Sequence, residues 1–229
     1  MSFRFKQFFI EDSKCAMKVG TDGVLLGAWA PIAVSIQHSA FSILDVGTGS
    51  GLIARMLMQR CPEAEVEGID IDEAAVEQAQ ENGVQAFCSS LQNWQGAYDL
   101  IVSNPPYFQN SLKNPDAGRK AARHTDTLSY AELVKHSARL LKENGQLALI
   151  LPAEAEAEIR QLAGAEGFFL TRVTRVYSKE SKPARRVLLS FSRDIGITGY
   201  RYTEDSLVLE DEKGGRSLPY QNLCRDFYL

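Results

Sequence analysis

Cysteine is scarce in this chain and does not cluster. Cys15, Cys61, Cys88 and Cys224 form no CxxC pair, so neither a zinc ribbon nor a disulfide framework is suggested. His38, His124 and His136 share no metal-ligand spacing. A reduced, metal-free, cytoplasmic protein is the expectation. No run of about 18 apolar residues occurs, which speaks against a membrane-spanning helix. The N-terminal stretch sets Arg4 and Lys6 among aromatics and runs into Glu11 and Asp12, unlike a signal peptide. There is no internal repeat, no low-complexity tract and no apolar stripe that marks a dimer face, so a monomer is expected. Positive charge is not in excess either. The net charge of −4 lends nucleic-acid binding no support by itself, although distribution matters more than the total. Arg172, Arg175, Lys179, Lys182, Arg185, Arg186 and Arg193 crowd one stretch, against Glu180 and Asp194. A solvated basic face explains such a cluster as readily as a binding surface does.

What is present is a core-forming chain of 229 residues, 45% of them hydrophobic, enough for one good domain. Ser42–Val46 reads as a buried strand, followed by a glycine turn and a helix from Leu52 to Arg60 that stops before Pro62. Further strands are expected at Glu65–Asp70, Val84–Cys88, Tyr98–Ser103 and Gln146–Leu151, with two more at about 168–177 and 186–191. Helices are expected from Glu73 to Asn82 with Asp72 as cap, from Ser129 to Lys142, and from Ala153 to Ala165. Strands alternating with helices imply parallel βαβ units. The last two strands have no helix between them and can pair antiparallel. The expected fold is α/β, a doubly wound, mostly parallel seven-stranded sheet with a terminal antiparallel strand. Phe108–Leu128 is a long connection of the kind that usually serves function. Leu207, Leu209 and the Lys213-Gly-Gly215 turn suggest a C-terminal hairpin. One domain is expected, with 1–40 as an N-terminal lid and substrate segment, 41–195 as the catalytic core and 196–229 as the hairpin extension.

In an open α/β sheet, ligands sit beyond the carboxyl ends of the strands. Gly47, Gly49 and Gly51 form GxGxG after the first core strand, and position 52, where a dinucleotide fingerprint needs glycine or alanine, is Leu52. That disfavours a nicotinamide dehydrogenase. Asp45, just before the loop, suits the cationic amino group of S-adenosylmethionine. Asp70 ends the next strand about 19 residues after Gly51, where a carboxylate can accept ribose hydroxyls. Its alternative role is a helix cap, which Asp72 fills better.

Asn104-Pro-Pro-Tyr107 directly follows the strand Tyr98–Ser103. An exocyclic amine on a base is a poor nucleophile because its lone pair is delocalised into the ring. The Asn104 side-chain oxygen and the Pro105 carbonyl can accept its two N–H groups and favour the geometry of attack. Pro105 and Pro106 fix φ and hold those acceptors rigid, and Tyr107 offers a ring for stacking. The plain alternative is a turn with an aromatic plug.

Asp45-Val-Gly-Thr-Gly-Ser-Gly51, Asp70 and Asn104-Pro-Pro-Tyr107 together resemble the class I S-adenosylmethionine-dependent methyltransferases with an NPPY motif. More narrowly, the chain resembles the bacterial valine-tRNA adenine-37 N6-methyltransferase family over nearly its whole length. That likeness includes Phe3-Arg-Phe-Lys-Gln-Phe8, Met17–Trp29, Ala122-Arg-His124, Lys182–Val187 and the ending Asp226-Phe-Tyr-Leu229. The resemblance implies a Rossmann-like fold and S-adenosyl-L-methionine as cofactor. It implies that Thr21 and Asp22 lie over the cofactor, that Thr48 and Ile71 join Asp45, the three glycines, Asp70 and Asn104 around it, and that tRNA is the partner. One departure stands out. Where such enzymes commonly carry an acid after the third strand to contact the cofactor's adenine, this chain has Ser90, with Asn93 as an alternative donor of that contact.

Arg119, Lys120, Arg123 and His124 on the loop after NPPY, and Lys182, Arg185 and Arg186, are the candidate RNA contacts. Each can equally be a solvated charge. Phe3, Phe5, Phe8 and Phe9 read as a packed lid strand before they read as base-stacking groups. Two rival functions stay open. A protein-glutamine N5-methyltransferase shares the NPPY chemistry but carries a helical domain ahead of the core, and only about 40 residues precede this glycine loop, short for an independent domain. A catalytically silent RNA-binding protein on the same scaffold is the other, against which the intact tetrapeptide argues.

Overall fold

The chain alternates short apolar strands with helices, and the order decides the layers. A computed structural model describes residues 2–32, 41–106, 128–194 and 202–228. β1 (Ser2–Arg4) and β2 (Phe9–Glu11) make a small antiparallel hairpin. There follow α1 (Thr21–Trp29), β3 (Ser42–Val46), α2 (Leu52–Arg60), β4 (Glu65–Asp70), α3 (Glu73–Glu81), β5 (Gln85–Cys88) and β6 (Tyr98–Ser103). Then come α4 (Tyr130–Leu140), β7 (Leu141–Pro152), a 3-10 turn at Ala153–Ala155, α5 (Glu156–Ala165), β8 (Phe169–Tyr177), β9 (Ala184–Ser192), β10 (Thr203–Val208) and α6 (Leu218–Cys224). Among the described residues, no helix is long and apolar enough to cross a membrane.

The main sheet runs β10-β8-β9-β7-β6-β3-β4-β5. β3, β4, β5, β6 and β7 pair parallel, as do β8 and β10, and β9 runs antiparallel to both β7 and β8. All seven expected strands are present, and the antiparallel pairing of β8 with β9 is as expected. An eighth strand differs from expectation. The tail was expected to fold back on itself as a hairpin, and it does so as one antiparallel bridge, Glu210 with Arg216. The segment before it, Thr203–Val208, adds to the sheet edge, parallel to β8, and buries Leu207 against the core. The glycine turn is where it was expected: Asp211 N–H donates to the Gly215 carbonyl at 2.8 Å and Ser217 N–H to the Leu209 carbonyl at 2.9 Å. Beyond it, however, the chain forms α6, capped by the Ser217 hydroxyl.

Helices cover both faces of the sheet, so its central strands carry buried apolar runs, Ile43-Leu44, Leu100-Ile-Val102 and Leu147–Leu151. Successive residues go to opposite cores. Leu147, Leu149 and Leu151 pack with Leu133, Val134 and Ile159 of α4 and α5. Ala148 and Ile150 pack on the other face, with α1 and α2. Capping sets the helix starts. Asp72 accepts from Ala74 N–H at 3.0 Å. Ser129 and Glu132 make a reciprocal capping box. The helix expected to reach Lys142 stops at Leu140, since Leu141 already pairs with Tyr98 of β6.

α1 was invisible to periodicity. Gly23 through Trp29 are all buried, so the helix has no polar face to alternate with the apolar one. Its glycines allow close packing on α2: a Cβ at Gly27 would sit 2.7 Å from Met56 Sδ and 2.9 Å from Met56 Cβ. Gly27→Val is therefore expected to lower stability by about 1–3 kcal/mol through overpacking, read as a lower urea midpoint with an unchanged m-value.

Candidate active site at the carboxyl edge of the sheet

The carboxyl ends of β3, β4, β6 and β7 open on one edge, and the reversed β9 brings its first residues there. β3 leaves the sheet at Val46 and turns through Gly47-Thr-Gly-Ser-Gly51 into α2. Gly47, Gly49 and Gly51 have φ of 71°, 54° and 78°, a region that disfavours side chains. The turn is pinned to β4 by Gly47 and Thr48 N–H groups, which donate to the Ile69 carbonyl at 2.8 and 3.0 Å. A Cβ on Gly51 would strike Val84 Cγ2 at 2.7 Å, so packing requires that glycine. A Cβ on Gly47 or Gly49 would meet nothing within 4 Å; those two leave open space above the backbone.

Asp45 lies under this turn with its side chain wholly buried. Its Oδ2 accepts from the Thr48 hydroxyl at 2.8 Å and from Ala54 N–H at 3.2 Å. Its Oδ1 is buried without a hydrogen-bond partner among the described residues. Burial pushes the carboxyl up to about 7, against the lowering effect of those two hydrogen bonds, and the nearby Asp70 charge adds to the rise. Asp70 ends β4. Its Oδ2 accepts from Gly49 N–H at 2.9 Å and its Oδ1 from Asp72 N–H at 3.0 Å. Each oxygen keeps capacity for a further donor. Ile71 beside it is 56% exposed, an apolar surface next to the carboxylate. Ser90 is half-buried in the turn after β5, where its carbonyl accepts from Asn93 and Trp94 N–H, both at 3.1 Å; Asn93 is exposed.

β6 ends beside β3. Val46 and Ser103 are register partners, and the Ser103 hydroxyl donates to the Val46 carbonyl at 2.8 Å. Asn104 and Gly47 thus leave adjacent strand tips, about 4.8 Å apart across the sheet. Asn104 is half-buried, Pro105 buried and Pro106 exposed. Tyr107, Arg119, Lys120, Arg123 and His124 lie outside the described residues.

Thr21 and Asp22 form the first turn of α1. Asp22 Oδ2 accepts from Arg186 Nε at 2.8 Å. Arg186 is the register partner of Pro152 at the end of β7, so this ion pair stands on the same edge, two strands from Asn104. The basic cluster resolves unevenly. Arg172 pairs with Asp205, Arg175 with Glu156 and Glu204, and Lys179 with Glu210. Arg193 donates to the Ala138 carbonyl at 3.1 Å. Lys182 and Arg185 are exposed and form no ion pair among the described residues.

Sequence reasoning passed over Asn82, which it read as a helix end. Buried at 8% exposure, Asn82 donates to the Glu11 carbonyl at 2.7 Å and the Ser50 carbonyl at 2.8 Å, and accepts from Glu11 N–H at 3.0 Å. It ties β2 to the glycine turn. An amide at a helix end gives no hint of such contacts across about 70 residues. Ser103 was passed over for the same reason.

A family model described as methyltransferase small domain matches residues 32–163. A curated relative from Bacteroides fragilis, named tRNA1(Val) (adenine(37)-N6)-methyltransferase, is 41% identical over 240 residues, covering 99% of this chain and 97% of its own length. A relative of the same name from Yersinia pestis is 39% identical, covering 99% and 93%. Among solved structures, a predicted O-methyltransferase from Agrobacterium tumefaciens superposes with a TM-score of 0.67 at 17% identity, over 90% of this chain and 96% of that one. A 16S rRNA N2 G1207 methyltransferase from T. thermophilus, in complex with AdoMet and guanosine, gives 0.54 at 20% identity, over 85% and 44%. At these identities the structures establish the Rossmann-like class I methyltransferase fold. With the model match spanning more than half of its residues and the curated relatives nearly all of them, this chain belongs to the methyltransferase small domain family.

Proposed function

We propose that this protein transfers a methyl group from S-adenosylmethionine to N6 of adenine 37 in a valine tRNA. The observation that carries the reading is the Val46–Ser103 pairing, which sets the glycine turn and the Asn104-Pro105 acceptors on neighbouring strand tips. The substrate follows the names of relatives matched from end to end.

The residues present fit the cofactor. Open space over Gly47 and Gly49 admits a ligand against the backbone. The orphaned Asp45 Oδ1 suits a cationic amino group, directly or through water. Asp70 accepts ribose hydroxyls with its remaining capacity, and Ile71 gives an apolar flank to the adenine. Thr21 at the start of α1 is assigned a place over the cofactor, Thr48 holds the turn from below through Asp45, and Ser90 or Asn93 takes the adenine contact that an acid commonly makes. When bound, the cofactor supplies an electrophilic methyl group on its sulfonium.

The Asn104 side-chain oxygen and the Pro105 carbonyl accept the N–H groups of the target amine. Buried Pro105 holds both acceptors still, so the cost of ordering them is met in folding. No strong base is required, because the nitrogen proton becomes acidic as the new N–C bond forms. Lys182, Arg185 and Arg186, with Arg119, Lys120, Arg123 and His124, are the proposed phosphate contacts.

Asn104→Ala is expected to reduce methyl transfer to unmodified tRNA by about 100-fold or more without lowering Tm, measured with radiolabelled cofactor. Label appearing in a glutamine-bearing protein substrate and not in tRNA would sink the RNA reading. Asp70→Asn keeps one acceptor, sets an NH2 group against the other of the Gly49 and Asp72 N–H groups, and weakens ribose binding. Cofactor affinity should fall about tenfold or more in calorimetric titration, the loss of a charge-assisted pair. Asp45 tests the electrostatics. Its folded pKa lies above its unfolded value of 3.8, so the ligand-free protein loses stability as pH rises from about 4 through about 7. Asp45→Asn should gain roughly 2–4 kcal/mol over the wild type at pH 8 and nothing at pH 4, while binding the cationic cofactor more weakly at pH 8. Equal Tm differences at both pH values would refute the buried carboxylate's role.

A further inference from the structure

A second concavity, lined by none of the glycine-turn residues, lies among the N- and C-terminal segments. The N-terminal hairpin, the start of α1 and the C-terminal segment enclose a cavity of about 400 Å³. Phe3, Thr21, Glu210, Arg216, Tyr220 and Tyr228 are among the residues that line it. Phe3, Tyr220 and Tyr228 line it beside the aliphatic Val19, Val24 and Leu209. Phe3 is 39% exposed; its ring centroid is 6.5 Å from that of Tyr228. Tyr220 meets Tyr228 edge to face at 6.2 Å, with their hydroxyls 3.1 Å apart. The Arg216 guanidinium sits 4.2 Å from the Tyr228 ring centroid, and Arg216 is exposed. Glu210 adds a carboxylate, which faces Lys179 at 3.4 Å.

A flat guanidinium held against a ring, a second exposed ring and a carboxylate acceptor suit a planar heteroaromatic group that carries N–H donors. Position narrows the class. Glu210 N–H donates to the Ser178 carbonyl at 3.0 Å, which docks the cavity's rim against the β8–β9 turn. That turn carries the exposed Lys182, which forms no ion pair among the described residues, and Arg185 and Arg186 follow Ala184 at the start of β9. A path from the cavity to Asn104 therefore runs over cations, across the ends of β8, β9 and β7. β10 stands four strands from β6, or about 19 Å at the usual spacing, within reach of a few nucleotides of single strand.

We infer that the Phe3–Arg216–Tyr228 cavity is a nucleobase subsite that receives an unpaired base of the RNA substrate a few nucleotides from the methylated adenine. The inference rests on the RNA reading given above. Base stacking on aromatic and guanidinium planes strengthens binding about tenfold per base, so the subsite acts on RNA affinity and not on the methyl-transfer step.

The test pairs a protein change with an RNA change. The full-length enzyme methylates a tRNA anticodon stem-loop in which single abasic nucleotides are placed, one at a time, around the target adenosine. With the wild type, one flanking abasic position should raise KM about tenfold and leave kcat unchanged. Arg216→Ala should raise KM for the intact RNA by a similar factor at unchanged Tm and unchanged cofactor affinity, and should abolish the effect of that abasic position. Phe3→Ala should behave likewise, which guards against a purely electrostatic effect of Arg216. If all abasic effects and the two substitutions simply multiply, the subsite is overturned while the RNA reading stands; a cavity serving a protein partner instead would give that same multiplicative pattern. If the wild type transfers no methyl group to RNA at all, both readings fall together.

Discussion

The parallel pairing of β3 with β6 is the constraint on which the site depends. A parallel ladder brings two chain segments out of the sheet at the same edge, and the Val46–Ser103 register brings them out at the same height. The Ser103 hydroxyl then ties the two tips together. Gly47 and Asn104 are 57 positions apart in the chain but leave neighbouring strands of the sheet. A one-residue slip would turn every side chain of β6 to the opposite face, and both cores forbid it, since Leu100 and Val102 belong to one and Ile101 to the other.

A second constraint is electrostatic. Asp45 is buried at the base of the glycine turn, where it organises Thr48 and the start of α2. The same burial raises its pKa and leaves one oxygen unsatisfied. A buried acceptor without a partner is costly, so the ligand-free turn stores a preference for a cation. In the proposed function, stability and ligand affinity are opposed at this residue, a common arrangement where a site is prepared before its ligand arrives.

The ends of the chain work together at the rim. Phe5 stacks on Phe8 and Tyr228, and Lys6 N–H donates to the Phe227 carbonyl at 2.9 Å. Asn82 joins the same N-terminal segment to the glycine turn. The segment therefore spans from the turn to the aromatic cavity. The Asp22–Arg186 ion pair sits between these two regions, joining a residue expected over the cofactor to one expected on the RNA.

Local geometry was readable from the sequence. The glycine spacing, Asp45, Asp70 and the strand-to-NPPY junction each follow from a few adjacent residues, because turn geometry and strand exits are short-range properties. The central strands were legible for the same reason: Ile43-Leu44, Leu100-Ile-Val102 and Leu147–Leu151 are short apolar runs that the sheet buries. What tertiary structure decided is what depends on distant partners. α1 has no amphipathic period because neighbours bury it on all sides. The tail joins the sheet as β10, since an edge strand needs a partner that no local pattern names. The basic cluster shrinks to three cations without ion pairs among the described residues, Lys182, Arg185 and Arg193, because Asp205, Glu156, Glu204, Glu210 and Asp22 reach it from elsewhere in the chain. Charge counted along a sequence carries no information about which opposite charge folding will set beside it.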